Sequence, residues 1–380
     1  MIKNNHQKTA LLLFIGVFLF SCNTYICSYT MPQFLLETGL TAVEESRIEM
    51  IEMLGYIIAG LILTPIISKI HYNKAIIVCQ VILTICMTNI ITLEGYDVLK
   101  FNFIIMSSAY YAYLIITIIR ILEILSDHRY FAVVIFSMSW ISGHFVAHLL
   151  ESQLSSALDS LMLCILFYVT IIVTCLFKEN NLKTISTTPK FSFLISNIEL
   201  QVLTGFMIAY ITFDILWYYE EFAMMKQLAL SNSEMVLHYM LMSVFFTVIP
   251  VVLVLKKVNK YLANLLLIIV LLVNFMLLGR YGTNLTANIS FLSIISVCLS
   301  SISICNILIL CDKFESEDLR SAITIYFTMS AIGIFAGALS SNSSHSSADK
   351  QNLLFSTFAI VGTFAIYYLW YFIRRKLYRW

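Results

Sequence analysis

Twelve apolar runs of bilayer length follow one another along these 380 residues, with little chain left between them. A helix needs about 20 apolar residues to cross a bilayer, so twelve crossings use most of the length. The runs lie near 9–30, 48–68, 75–93, 101–122, 131–150, 160–177, 198–219, 235–255, 261–279, 289–311, 321–340 and 352–372. Only 12% of residues are charged and mean hydropathy is +0.88, whereas soluble domains carry about a quarter charged residues. An ordinary water-soluble domain is therefore excluded, and the chain is expected to be an all-α integral membrane protein of 12 transmembrane helices.

Charge placement tests that count, because a wrong number of spans would scramble the alternation of Lys and Arg between the two sides. Of the 23 basic residues, 18 collect on one side. The other side holds Arg47, Lys100, Lys226, Arg280 and Lys350, together with most of the loop acids, among them Glu44, Glu94, Asp97, Glu220 and Glu221. Basic loops face the cytoplasm, so both termini are expected there. The formal net charge of +1 is a cancellation between the two sides and offers no basic surface for nucleic acid. Short loops and no appended domain favour a bacterial inner membrane.

All nine cysteines fall in or at the ends of apolar stretches and none forms a C-x-x-C pair, so they read as small hydrophobes with no metal site or disulfide framework. Leu19-Phe20-Ser21-Cys22 looks like a lipoprotein cleavage box, but the apolar run continues to about Tyr29, and an uncleaved first span is expected.

The longest polar connection, 178–197, divides the chain into an N-terminal six-helix half (1–177) and a C-terminal one (198–380), joined by a cytoplasmic linker. Punctuation repeats between the halves. Pro65 followed by Asn73-Lys74 matches Pro250 followed by Asn259-Lys260, and Ser139, Gly143 and Ala147 match Gly333 and Gly337. Small residues four apart let helix backbones approach where hydrophobicity supplies no drive between helices. A duplicated, six-plus-six pseudo-repeat is expected.

Six plus six spans, both termini inside, a central cytoplasmic loop and short basic links after spans two and eight together resemble the major facilitator superfamily. That family's loop signature, G-x-L-A-D-R-x-G-R-R, falls on Pro65-Ile66-Ile67-Ser68-Lys69-Ile70-His71-Tyr72-Asn73-Lys74, where Ile67, Ser68 and Lys74 keep its character and Lys69 replaces its acid. The span-five antiporter motif can be laid on Ser139, Gly143, His144, Ala147 and His148, with histidines replacing the Pro and last Gly. Gly55-Tyr56 with Gly60 is similar to a Gly-Tyr stretch of some bacterial members. The match is thus to a divergent member with degenerate loop motifs.

The resemblance implies a central cavity lined by spans 1, 4, 7 and 10, and polar stripes lie on those spans. They are Asn23, Thr24, Tyr25 and Ser28; Tyr110, Tyr113, Thr117 and Arg120; Tyr210, Asp214, Trp217 and Glu221; and Ser293, Ser296, Ser300 and Ser303. In the last three sets, steps of three and four place the residues on one helix sector. Hydroxyls bonding their own helix or a neighbour are the alternative. Asp214 is an acid well inside a predicted span, which makes it either a proton-coupling group or an acid wetted at the outer interface. His144 and His148, one turn apart, read as structural hydrogen bonders, as proton or substrate contacts, or as metal ligands. Lys69, Lys74, Arg120, Arg129, Asp312 and Arg320 mark the inner side. There Arg120 and Glu123 either snorkel or form a gate ion pair with the 312–320 loop.

No G-x-x-x-x-G-K-[ST] is present, so nucleotide hydrolysis on this chain is not expected. The leading expectation is a monomeric, non-enzymatic secondary transporter without cofactor or bound metal. It would move a small neutral or cationic, polar or amphipathic solute by alternating access, with protons as a possible coupling ion. A non-transporting sensor or scaffold is the alternative. Ser142-Gly143-His144 keeps an intramembrane serine protease as a remote third, with Trp140 standing where such enzymes carry Gly.

Overall fold

A computed structural model describes residues 2–93, 95–151, 156–176, 191–212, 259–281, 285–342 and 347–377. Among them the chain forms eleven α-helices, two single 3₁₀ turns and no strand. The helices are α1 (Ile2–Glu37), α2 (Ala42–Ile66), α3 (Tyr72–Thr92), α4 (Tyr96–Ile124), α5 (Arg129–Glu151), α6 (Ala157–Leu176), α7 (Phe191–Ile211), α8 (Lys260–Tyr281), α9 (Leu285–Lys313), α10 (Ser316–Asn342) and α11 (Ser347–Leu377). Each matches one predicted span, and the predicted eighth span and the end of the seventh lie outside the described residues. Seven helices are, by length and composition, able to cross a membrane, and α1, α2, α7 and α11 carry shorter apolar segments.

Helices overrun the apolar runs because backbone hydrogen bonding continues into polar flanks that carry their own caps. At the α1–α2 link, Gly39 at φ 92° ends α1, with its N–H on Leu36 O at 3.0 Å and the Leu40 N–H on Leu35 O at 3.2 Å. Positive φ suits Gly, and this bond pair closes a Schellman turn. Thr41 then opens α2 through a capping box. Its hydroxyl accepts from the Glu44 N–H at 3.3 Å, and the Glu44 carboxylate accepts from the Thr41 N–H at 3.0 Å. The helix α1 runs unbroken through Leu19–Cys22, with Phe20 and Cys22 both buried. All nine cysteines carry free thiols, eight of them buried.

The chain divides into two compact units. Unit 1 comprises Met1–Leu194 and Phe314–Thr328; unit 2 comprises Ile195–Lys313 and Met329–Trp380. In unit 1, α1 packs on α5 and α6, α2 on α4, and α3 on α4 and α6. The first half of α10 also belongs to this unit. Tyr111 on α4 donates to Phe327 O at 2.6 Å, and Thr328 Oγ1 lies 3.5 Å from Thr64 Oγ1. In unit 2, α8 packs on α9 and α11 around a core that includes Met207, Ile268, Leu271, Ile302, Val361 and Tyr368.

The duplication is visible in the packing. A Cβ on Gly143 would lie 2.4 Å from Phe18 O within unit 1, and one on Gly333 would lie 2.3 Å from Phe206 O within unit 2. Gly143 and Gly333 are 190 residues apart, and Phe18 and Phe206 are 188 apart. The same contact, a glycine of the fifth helix on the backbone of the first, thus occurs once in each half.

Candidate functional site

Within unit 1 the side chains gather into two polar clusters. The first is built on α2, whose exposed Leu54, Leu61 and Ile62 mark its apolar outer face. At about 100° per residue, Glu52 and Tyr56 lie more than about 130° from the middle of that face and point toward the other helices of the unit. The Tyr56 hydroxyl donates to Glu52 Oε1 at 2.7 Å. Its ring stacks on Tyr111 at 5.1 Å between centroids and lies 5.8 Å from Tyr110, both on α4. From α1, Thr24 Oγ1 donates to the Tyr110 hydroxyl at 3.0 Å. Phe20, also on α1, stacks on Tyr110 at 4.7 Å and lies 4.1 Å from Tyr113 and 6.4 Å from Trp140 of α5.

This cluster has a floor and a rim. Phe20, Tyr111, Tyr113 and Tyr168 are buried, whereas Thr24, Glu52, Tyr56, Tyr110 and Trp140 are half-buried. Glu52 also lies within electrostatic reach of Cys27, Tyr110 and Tyr168. Among the described residues, the ion pairs are Lys100–Asp97, Arg120–Glu123, Lys260–Asp312 and Arg320–Glu123, so no Lys or Arg pairs with Glu52. A carboxylate in a low-dielectric setting needs compensation, and here it has one phenol and a wall of rings.

The second cluster lies where α3 begins and α4 ends. Glu123 forms an ion pair with Arg320 of α10, has Arg120 Nη1 at 4.0 Å and accepts from the Tyr72 hydroxyl at 3.3 Å. The Arg120 and Arg320 guanidinium carbons lie 5.9 and 5.5 Å from the Tyr72 ring centre. Nearby in sequence, Arg129 Nη1 donates to Phe314 O at 3.0 Å. Arg120, Glu123 and Arg320 retain only 7, 17 and 13% side-chain exposure, so the three form an ion-paired network inside the unit.

The predicted site residues divide among these surroundings. Tyr110 and Tyr113 join the aromatic cluster, Tyr25 is half-buried on α1, and Thr117 is buried one turn beyond Tyr113. Asn23 is fully buried and donates to Cys164 O of α6 at 3.1 Å, so its amide joins α1 to α6 inside the unit. Tyr210 packs against the unit 2 core. Ser300 donates to Val297 O of its own helix at 3.1 Å, the alternative that hydroxyl stripes always carry. Still, Ser293, Ser300 and Ser303 are all half-buried, while Ile295, Cys298, Leu299 and Ile302 of the same helix enter the core. Lys69 and Lys74 are exposed and form no ion pair among the described residues. Asp312 pairs with Lys260 in unit 2, and Arg120, Arg129 and Arg320 sit in or beside the Glu123 network. Asp214 and Trp217 lie outside the described residues, as do the side chains of His144, His148 and Ser296. Ranking acids by depth along a span misses Glu52, only four residues into the predicted second span. The one-turn Glu52–Tyr56 spacing is the signal that finds it.

No known family model matches the chain. It is 40% identical to the uncharacterized protein RP255 of Rickettsia prowazekii over 380 residues, covering the whole of both chains. Among solved structures it is similar to a bacterial homologue of the iron transporter ferroportin, with TM-score 0.74, 12% identity, and 95% of this chain and 98% of that one covered. The proton:xylose symporter XylE gives TM-score 0.73 at 12% identity over 98% of this chain and 96% of that one. The human organic anion transporter MFSD10 gives 0.71 at 11% over 94% and 99%. The chain therefore belongs to the family of Rickettsia prowazekii RP255, and its fold is that of the major facilitator superfamily, in a divergent form.

Proposed function

We propose that this protein is a secondary transporter that carries a small neutral or cationic, polar or amphipathic solute across a bacterial inner membrane by alternating access. The observation that carries the reading is fold similarity to transporters over 94% or more of the chain. Packing within unit 1 supports it. Alternating access needs an element with two arrangements, and residues 314–328, which run into the first half of α10, make discrete polar contacts within unit 1: Arg320 to Glu123, Phe314 O to Arg129 and Phe327 O to Tyr111. Buried Phe314, Leu319, Ile323 and Tyr326 add apolar packing to these contacts, and the polar contacts are the part that breaks and reforms as a set, which suits an inner gate.

On this reading the moving bodies are residues 1–177 and 198–380, tied by the 178–197 linker, with both termini cytoplasmic. The protein works as a monomer without cofactor or catalytic residue. Asp214 couples transport to protons, with His144 and His148 as supporting candidates. The test is uptake of a broad solute panel into proteoliposomes with and without an imposed pH gradient. Gradient-driven uptake that Asp214→Asn uncouples while leaving solute exchange intact is the expected result. Wild-type coupling in that variant removes the proton role, and no uptake of any solute removes the transporter.

A further inference from the structure

We infer that the Glu52 cluster is the recognition subsite for an organic cation of quaternary-ammonium type; this rests on the transporter reading and narrows its solute to one charge class. The juxtaposition is one carboxylate with no basic partner among the described residues, set at the rim of an aromatic wall drawn from α1, α2 and α4.

Charge decides the class. No Lys or Arg pairs with Glu52, so an anionic solute meets only repulsion. A neutral solute brings no countercharge to a carboxylate that has the hydrogen bond from Tyr56, in a medium that solvates charge poorly. A divalent metal is held by several converging ligands, about four for zinc and six or more for calcium or magnesium, and among the described residues no three of His, Cys, Asp and Glu come together to hold one. A soft organic cation fits both halves of the cluster. Its charge meets Glu52, and its alkyl groups lie against the rings of Tyr56 and Tyr110, whose electron-rich faces attract cations.

Burial agrees with the chemistry. The rim residues Thr24, Glu52, Tyr56, Tyr110 and Trp140 keep partial exposure, and the floor residues Phe20, Tyr111 and Tyr113 do not. Glu52 and Tyr56 lie away from the apolar side of α2 marked by Leu54, Leu61 and Ile62, so both face the other helices of the unit. The rim rings Tyr110 and Tyr56 stack on the floor rings Phe20 and Tyr111 at 4.7 and 5.1 Å and are held in place before any solute arrives, which lowers the ordering cost of binding.

The test is equilibrium binding of tritiated choline and tetraethylammonium to the full-length protein in nanodiscs, with the neutral carbon isostere of choline as competitor. At least one of the two ions is expected to bind, the isostere at least about tenfold more weakly, and Glu52→Gln is expected to lose about tenfold or more in affinity. Tyr110→Leu, on a different helix, is expected to lose several-fold and covers the case in which the Glu52 variant fails to fold. Wild-type affinity in either folded variant, equal affinity for the isostere, or no binding of either ion by the wild type overturns the inference. Uptake separates this from the broader reading. A neutral solute carried equally by wild type and Glu52→Gln, without ammonium binding, ends the subsite and leaves the transporter. Ammonium binding without transport of any solute ends the transporter and leaves the subsite.

Discussion

Glu52 and Glu123 lie on α2 and α4 of the same unit, and each accepts a hydrogen bond from a tyrosine hydroxyl, Tyr56 at 2.7 Å and Tyr72 at 3.3 Å. Their remaining company is opposite. Glu123 is clasped by Arg320 and Arg120, whereas Glu52 faces rings and pairs with no basic residue among those described. A paired interior carboxylate holds structure together, because removing it strands its arginines. An unpaired one weakens the apo protein and is retained where a ligand supplies the missing charge.

The largest effect that can break this contrast is on stability. Glu123→Gln is expected to lower stability by about 3 kcal/mol, since it leaves two arginines inside the unit with no carboxylate, and thermal unfolding in detergent reads it. Glu52→Gln should unfold at or above the wild-type temperature, because it removes an unpaired charge. Equal losses in both would erase the distinction between the two acids.

Next come the glycines. Gly143→Ala is expected to cost about 2 kcal/mol, because its new methyl would meet Phe18 O and the neighbour is backbone. Gly333→Ala meets the same obstacle at Phe206 O and should cost about as much. Only Gly143 seats the helix that carries Trp140 against the one that carries Phe20. Choline binding measured on the two variants should therefore fall in Gly143→Ala and hold in Gly333→Ala.

The two phenols sharpen the comparison further. Tyr56→Phe is expected to cost about 2 kcal/mol, a hydrogen bond to a charged group with nothing to replace it, and Tyr72→Phe about 1 kcal/mol or less, since Glu123 keeps its arginines. Denaturant or thermal unfolding of the pair checks the order.

The smallest effect belongs to a third acid, Glu44, outside the apolar segment of α2. The Thr41 N–H and hydroxyl hold its carboxylate below the usual glutamate range. A depressed folded value favours the folded cap above the unfolded value near about pH 4.3, and that contribution fades as pH falls through the folded value. Hydrogen-exchange protection at Ala42–Glu45 should therefore be flat from about pH 7 to about pH 5 and fall below about pH 4, while the core of α4 keeps its protection.

Apolar length and charge alternation along the chain made eleven of the twelve spans readable wherever the structure describes them, because a span is a local property of some twenty consecutive residues. The repeat was readable through Gly143 and Gly333, because a close helix approach demands a small residue at a fixed register. The two acids were not ranked correctly by depth. Glu123 sits at a span boundary, where snorkelling and ion pairing look alike in sequence, and its partner Arg320 is 197 residues away. Glu52 sits near the start of its span, where a carboxylate reads as wetted until the helix face it occupies is known. Asn23 shows the converse: a polar residue expected to line a cavity that turns toward α6 instead.

By itself the sequence determined that this chain is of an all-α, multi-pass membrane type and where its described helices lie, since hydrophobicity acts along the chain. Only the tertiary structure decided which polar side chains meet. Helix faces are chosen by packing among elements distant in sequence, and that choice gave Glu123 two arginines and Glu52 a wall of rings.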